Sequence, residues 1–190
     1  MSEDTDILNL TGKFLIAMPG MGDPRFDSSV IYMCDHSEKG AMGLIVNKPL
    51  RQGSFKALCS QLSIENPGSR EVPILFGGPV ETSRGFVIHS RDFNSEFSTQ
   101  EIGDNLCLTS TRDIIEALAE GHRPINAGLF MGYAGWGAGQ IESELVHNGW
   151  LVSDADEDIV LDSDHDGKWT AALSLLGIDS MMLSSDAGRA

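Results

Sequence analysis

Between Arg123 and Lys168 the chain contains no lysine or arginine. Over the whole sequence 13 basic side chains stand against 28 acidic ones, for a net charge of −15. The deficit is uneven: residues 1–123 carry 17 acidic and 11 basic side chains, residues 124–190 carry 11 and 2. A surface so short of cations cannot replace the counterions of a nucleic acid, so direct nucleic-acid binding is not expected. Cysteine is scarce as well. Cys34, Cys59 and Cys107 are odd in number, far apart and set in apolar text without a C-x-x-C pair. They read as small core residues in a reducing, cytoplasmic setting. The opening "MSEDTDILNL" is acidic where a secretory signal is basic, which predicts no export. Long apolar runs are missing too: the stretch from Pro124 to Ile141 is uncharged but holds five glycines, Asn126 and Gln140. It makes a poor membrane span, and no membrane partner is expected.

Signatures of chemistry are equally thin. There is no G-x-S-x-G elbow and no H-E-x-x-H, and Gly167-Lys168 is followed by Trp169 where a phosphate loop needs Ser or Thr. His36, His89, His122, His147 and His165 lack metal-ligand spacing, so no metal or other cofactor is predicted. "DSDHDG" (162–167) places Asp162, Asp164, Asp166 and Gly167 as the first half of a calcium loop does. Leu173 falls where the bidentate glutamate belongs, so the segment reads as a solvated turn before a helix.

What the sequence does contain is a succession of short apolar runs. The length of 190 residues fits one domain, able to bury about 70% of the unfolded chain's surface. "KFLIAMP" (13–19) predicts a strand ended by the turn-rich "GMGDP". "SSVIYMCDH" (28–36) and "AMGLIVNKP" (41–49) predict a hairpin across "SEKG". Ser54 is placed to cap a short helix carrying Phe55, Leu58, Cys59 and Leu62. "ILF" (74–76) and "RGFVIHS" (84–90) read as a second strand pair around "GGPVETS", and "NLCLT" (105–109) as a further strand. Ser110 is read as the start of a helix, with Asp113 as capping-box partner and Gly121 as its stop. "INAGLFMGYA" (125–134) is the most apolar strand and is expected to be central. A helix over 138–147, the stretch "NGWLV", an acidic loop and a helix near 168–176 complete the chain. The expected fold class is therefore α/β with α+β character: mixed, partly antiparallel sheet packed with short helices in a single compact domain. The domain is expected over 11–178, between a flexible acidic segment (1–10) and a disordered tail (179–190).

One stretch tempts a sharper reading. "GYAGWGAGQIESEL" (132–145) has the outline of strand, glycine-rich turn and helix that cradles nucleotide phosphates. Gln140 replaces the third glycine of that fingerprint, and Glu142 and Glu144 occupy the helix start, where a phosphate needs no competing anion. The glycines are better explained by a tight turn and close backbone approach, with Tyr133 and Trp136 as packing anchors.

Taken together, "LTGKFLIAMPGMGDPRF", "SVIYMCDHSEKGAMGLIVNKPL", "LFGGPV", "GLFMGYAGWGAGQIESEL", "NGWLV" and "KWTAALSLLGID" resemble the AlgH/YqgE family of bacterial proteins, in the same order over residues 10–179. The resemblance implies a compact α/β domain in a cytosolic protein, and the family has carried the label of transcriptional regulator. It implies no catalytic residues, and the acidic "DSDHDG" is where this chain departs from the family pattern.

Three functions are then weighed. The first is a non-catalytic binding or regulatory protein acting through a small ligand or, preferably, a protein partner. The second is an enzyme acting on a small molecule in a cleft near the "GGPV" and "GYAGWGAGQ" turns. The third, direct DNA binding, is disfavoured by charge. The cleft residues proposed from sequence are Gly77, Gly78, Pro79, Tyr133, Trp136, Gly137, Gln140, Glu142, His36 and His89; of these Glu142, His36 and His89 are the acid–base candidates. Pro79 and Trp136 at opposite ends of the sheet would remove the shared cleft.

Overall fold

The computed structural model describes residues 8–147 and 149–183. Its strands are β1 (Lys13–Ala17), β2 (Val30–Ser37), β3 (Gly40–Ile45), β4 (Ile74–Phe76), β5 (Val80–Ser90), β6 (Gln100–Ile102), β7 (Leu106–Thr109), β8 (Ala127–Gly137) and β9 (Trp150–Asp154). Five α-helices are described: α1 (Phe55–Gln61), α2 (Arg112–Glu120), α3 (Gln140–Val146), α4 (Glu157–Val160) and α5 (Lys168–Leu175). The fold is α+β, a single curled sheet of nine strands in the order β6-β7-β5-β8-β3-β2-β1-β9, with β4 also on β8. Every pairing is antiparallel except β4 with β8. Of the two terminal segments, residues 1–7 and 184–190 lie outside the described residues, while Ser180–Leu183 form a short 3-10 helix.

Alternation along the strands sorts side chains to two faces. Phe14, Ile16, Tyr32, Cys34, Leu44, Phe86, Ile88, Ile102 and Phe130 share one cluster that runs from β6 to β1, covered by Val160, Ala172 and Leu173 of α4 and α5. The other face carries two clusters. Leu15, Ile31, Ile45, Ala134, Trp136 and Trp150 pack under Ile141 of α3. Val87 and Leu129 pack under Phe55 and Cys59 of α1 and Ile114, Ile115 and Leu118 of α2. The curl brings the sheet's ends together: Glu157 accepts the backbone N–H groups of Asp104 (2.8 Å) and Asn105 (2.9 Å) in the β6–β7 turn. Gln100 donates its side-chain amide to the Cys34 carbonyl at 2.8 Å.

Three details differ from the sequence reading. β4 and β5 do not pair with each other; both lie on β8, β4 in parallel register with Leu129–Met131 and β5 on the opposite edge. Short strands joined through "GG" resemble a hairpin in sequence, but the two glycines instead carry the chain across β8. Gly77 N donates to Met131 O and Gly77 O accepts from Ile45 N, each at 2.8 Å, so this residue hands the edge of β8 from β4 to β3. The N-cap of α2 is Thr111, not Ser110, and its hydroxyl donates to Asp113 while accepting no helix N–H. Asp113 also accepts from the Ser95 hydroxyl (2.7 Å) and Glu96 N (3.1 Å), spending its carboxylate on the preceding loop. Although burial pushes the Asp113 pKa up, the hydrogen bonds from Thr111, Ser95 and two backbone amides outweigh it and hold it below the usual carboxylate range. Third, "GYAGWG" is not a turn. It is the second half of β8, paired with Gly40–Gly43.

Candidate functional site

The glycines of the two signatures explain one another. Gly132 has φ +72°, and a Cβ there would sit 2.3 Å from Gly78 O. A Cβ on Gly78 would lie 2.1 Å from the Tyr133 carbonyl carbon, and one on Gly77 would lie 2.3 Å from Gly132 O. Real side chains cannot come so close, so the backbone of 77–78 crosses β8 only where all three residues are glycine. The left-handed residue at Gly132 also shifts the alternation of β8, opposite the register break between Val80 and Gly85 of β5. Leu129 and Met131 face α1 and α2, Tyr133 joins Phe130 on the opposite face, and Ala134 and Trp136 return to the α3 side.

That shift directs Trp136 into the wall of a cleft of about 720 Å³. One wall is the segment after β1, with Met18, Met21, Asp23, Arg25 and Phe26; the other is Gln140, Glu144 and His147, which recur at helical spacing on one side of α3. Pro79 and Val80 line it, as does Trp150 from β9. Pro79 and Trp136 are thus at the same end of the sheet.

Glu144 organises this cleft. Its Oε2 accepts both indole N–H groups, Trp136 at 3.0 Å and Trp150 at 2.9 Å, and its Oε1 accepts from Gln140 at 3.1 Å. Gln140 in turn accepts Gly137 N at 3.0 Å, fastening the start of α3 to the end of β8. The indoles meet edge to face with centroids 6.3 Å apart, and Phe26 meets Trp150 likewise at 5.7 Å. Trp136 and Trp150 are only 8% and 4% exposed, so they are core residues that show an edge to the cleft. Asp23 is held by Arg25 through side-chain and backbone hydrogen bonds that keep its pKa below the usual range. His147 Nδ1 donates to Ser143 O at 2.7 Å. Replacing Glu144 by alanine orphans two indole donors, and chemical denaturation is expected to show a loss of about 2 to 4 kcal/mol. Glu144→Gln, which keeps an acceptor oxygen, recovers most of that loss.

The other sequence candidates disperse. His36 and Glu142 do meet, Nε2 to Oε1 at 2.7 Å, with the His36 side chain 4% exposed. Leu10 N donates to His36 Nδ1 at 3.1 Å, so Nδ1 is the acceptor and Nε2–H donates to the carboxylate. The pair ties β2 to α3, with Leu10 before β1 held on the same ring, and neither residue lines the cleft. Glu142 has a lowered pKa, first through its own backbone N–H and then through His36. His89 is fully buried elsewhere, donating from Nδ1 to Ser90 O and accepting from the Thr109 hydroxyl, each at 2.8 Å. Burial holds its pKa below the ordinary histidine value. Tyr133 packs edge-on against Phe86 at 5.7 Å and lines a separate shallow depression with Lys39 and Arg84. Gly77, Gly78 and Gly137 shape the surrounding backbone without lining the cleft. Sequence reasoning passed over the "MPGMGDPRF" wall because turn composition announces a loop without saying what the loop covers.

Among the described residues no three His, Cys, Asp or Glu side chains are grouped to hold a metal ion. In "DSDHDG" two exposed carboxylates accept local backbone N–H groups, Asp162 from Asp164 N at 2.7 Å and Asp164 from Gly167 N at 3.2 Å. Among the described residues no helix is long and apolar enough to cross a membrane.

Comparison with known proteins gives a consistent result. The family model described as AlgH-like matches residues 14–181. A UPF0301 protein of Ruegeria pomeroyi is 52% identical over 96% of this chain and all of its own length. One from Paraburkholderia phymatum is 47% identical over the full length of both. The solution structure of the AlgH protein from Pseudomonas aeruginosa superposes with a TM-score of 0.79 at 39% identity, covering 100% of this chain and 99% of that one. A crystal structure of a Corynebacterium diphtheriae protein shares the fold, with a TM-score of 0.67 at 18% identity over 86% of this chain and 85% of its own.

Proposed function

The chain belongs to the AlgH-like family, and from that premise and the cleft we propose that it is a non-catalytic cytoplasmic binding protein. Its cleft receives an apolar ligand with a few hydrogen-bonding groups, either a small molecule or side chains of a protein partner. One observation supports this reading above others: the polar side chains lining the cleft, His147 apart, are spent on its own walls. Glu144 and Gln140 hold the indoles and α3, and Asp23 and Arg25 hold each other. A concavity of mixed lining whose polar groups are mostly committed to its own walls is the form of a recognition site. Acid–base chemistry needs a convergent pair facing the substrate, and the pair the chain does make, His36 with Glu142, stands outside the cleft. The three buried free thiols support a reducing compartment.

A thermal-shift screen against nucleotides and common metabolites, with short DNA duplexes as a separate arm, tests the proposal. A cleft ligand raises Tm in the wild type and loses its effect in His147→Trp, which narrows the cleft from an exposed position on α3. A ligand at about 100 times its dissociation constant adds roughly 2.7 kcal/mol to stability. Steeply salt-dependent duplex binding, or turnover of a hit that survives His147→Trp, would sink the proposal.

A further inference from the structure

A second concavity, separate from the cleft, lies between α1 and α2 over the sheet. It has a volume of about 230 Å³. Leu58 and Leu62 of α1 form one side, Ile114 and Ile115 of α2 the other, and Val87 and Leu129 the base. Protein interiors are packed to crystal density and keep few voids larger than a water molecule. Gly85 lies in the cavity's floor. Its φ lies outside the left-handed range, and an added Cβ would meet only side-chain tips, Leu129 Cδ1 at 3.3 Å and Met131 Sδ at 3.7 Å. Unlike Gly78 and Gly132, Gly85 is required neither by backbone conformation nor by a crossing chain. A side chain there would press first on the tip of Leu129.

We propose that this cavity binds a compact, uncharged, monocyclic molecule bearing one hydroxyl, of the phenol class. An apolar cavity of about 150 Å³ accommodates benzene, so the volume here admits a six-membered ring with one or two substituents. The cavity's polar lining comes from the start of α2 and from Ser83; Thr111 is already committed to Asp113, which leaves the Ser83 and Ser110 hydroxyls for a single polar substituent. Charge at that end is already balanced. Arg112 pairs through Nε with Glu116 at 2.7 Å, and Asp113 is engaged by Ser95 and Thr111. No unpaired cation awaits a carboxylate, and the start of α2 disfavours an ammonium group.

The test adds p-cresol, toluene and benzoate separately to the whole protein, reading Tm and the methyl NMR signals of Met131 and Leu129. p-Cresol is expected to raise Tm and shift both methyl groups, toluene to do so less, and benzoate least. Gly85→Val places a strand-favouring side chain in the space and is expected to fold and lose the response. An unchanged response in Gly85→Val overturns the proposal, as does a preference for benzoate. Absence of any methyl shift with p-cresol does the same. Should the variant fail to fold, the wild-type map still decides: shifts centred on Met21 place p-cresol in the other cleft and refute the assignment.

Discussion

Gly132→Ala is expected to cost about 4 kcal/mol or to prevent folding, while Gly139→Ala costs about 1 to 2 kcal/mol. Both glycines have φ +72°, so the strain of placing an L-residue in the left-handed region is common to the two variants. They differ in surroundings. Nothing lies within 4 Å of a Cβ built on Gly139, whereas one on Gly132 would meet Gly78 O at 2.3 Å and Val80 O at 3.0 Å. Relief would require the 77–80 crossover to lift from β8, breaking the Gly77 N to Met131 O hydrogen bond and the handover to β3. Urea denaturation of the three proteins measures the contrast. Equal costs would mean that backbone strain alone fixes the glycine and that the crossing contributes nothing. Fluorescence of Trp136 serves as a second readout, because the shift of alternation at Gly132 sets its direction toward Glu144.

The second large effect concerns Lys168, which is 2% exposed. Its Nζ donates to Val46 O at 2.8 Å and Val160 O at 2.9 Å. Among the described residues it has no carboxylate within ion-pair distance. Burial lowers its pKa from 10.5 to about 8, with Asp162 and Asp164 offsetting part of the fall. A neutral amine has two hydrogens to donate, matching the two carbonyls. Between pH 8 and 10.5 the unfolded chain holds a proton that the folded chain has released, so stability rises with pH in that window. Below it both states are charged, and the full penalty, about 3 kcal/mol, is present. Buried Cys34, Cys59, Cys107 and Tyr32 act in the opposite sense at higher pH, since burial raises each pKa and their unfolded counterparts ionise first. Comparison with Lys168→Met separates the two. The wild type should gain about 1 kcal/mol on the variant between pH 8 and 9, and parallel stability curves would refute a buried charge.

Much of this fold was legible because its strands are short apolar runs with local punctuation. β1, the β2–β3 hairpin, α1 with its Ser54 cap and the central place of β8 all follow from apolar runs, turn residues and capping. The readings that needed revision share a cause. Asp113 was assigned to cap its own helix, but loop 95–96 competes for the same carboxylate. "ILF" was paired with its sequence neighbour, but β8 offers two edges and takes both strands. Legibility of the site was narrower. Pro79, Trp136 and Gln140 do line one cleft, while Glu144, His147 and the 18–26 wall were named for other reasons or not at all.

By itself the sequence determined the single-domain scale, the acidic surface, the strand-rich layout and the family, since each depends on composition, local periodicity or linear order. Only the tertiary structure decided why Gly77, Gly78 and Gly132 must be glycine, which carboxylate holds the two tryptophans, and that His36 meets Glu142 while His89 is buried far along the sheet with Thr109. Those outcomes depend on backbone segments dozens of residues apart coming within a few ångströms of each other. No periodicity of one strand records which other strand will cross it.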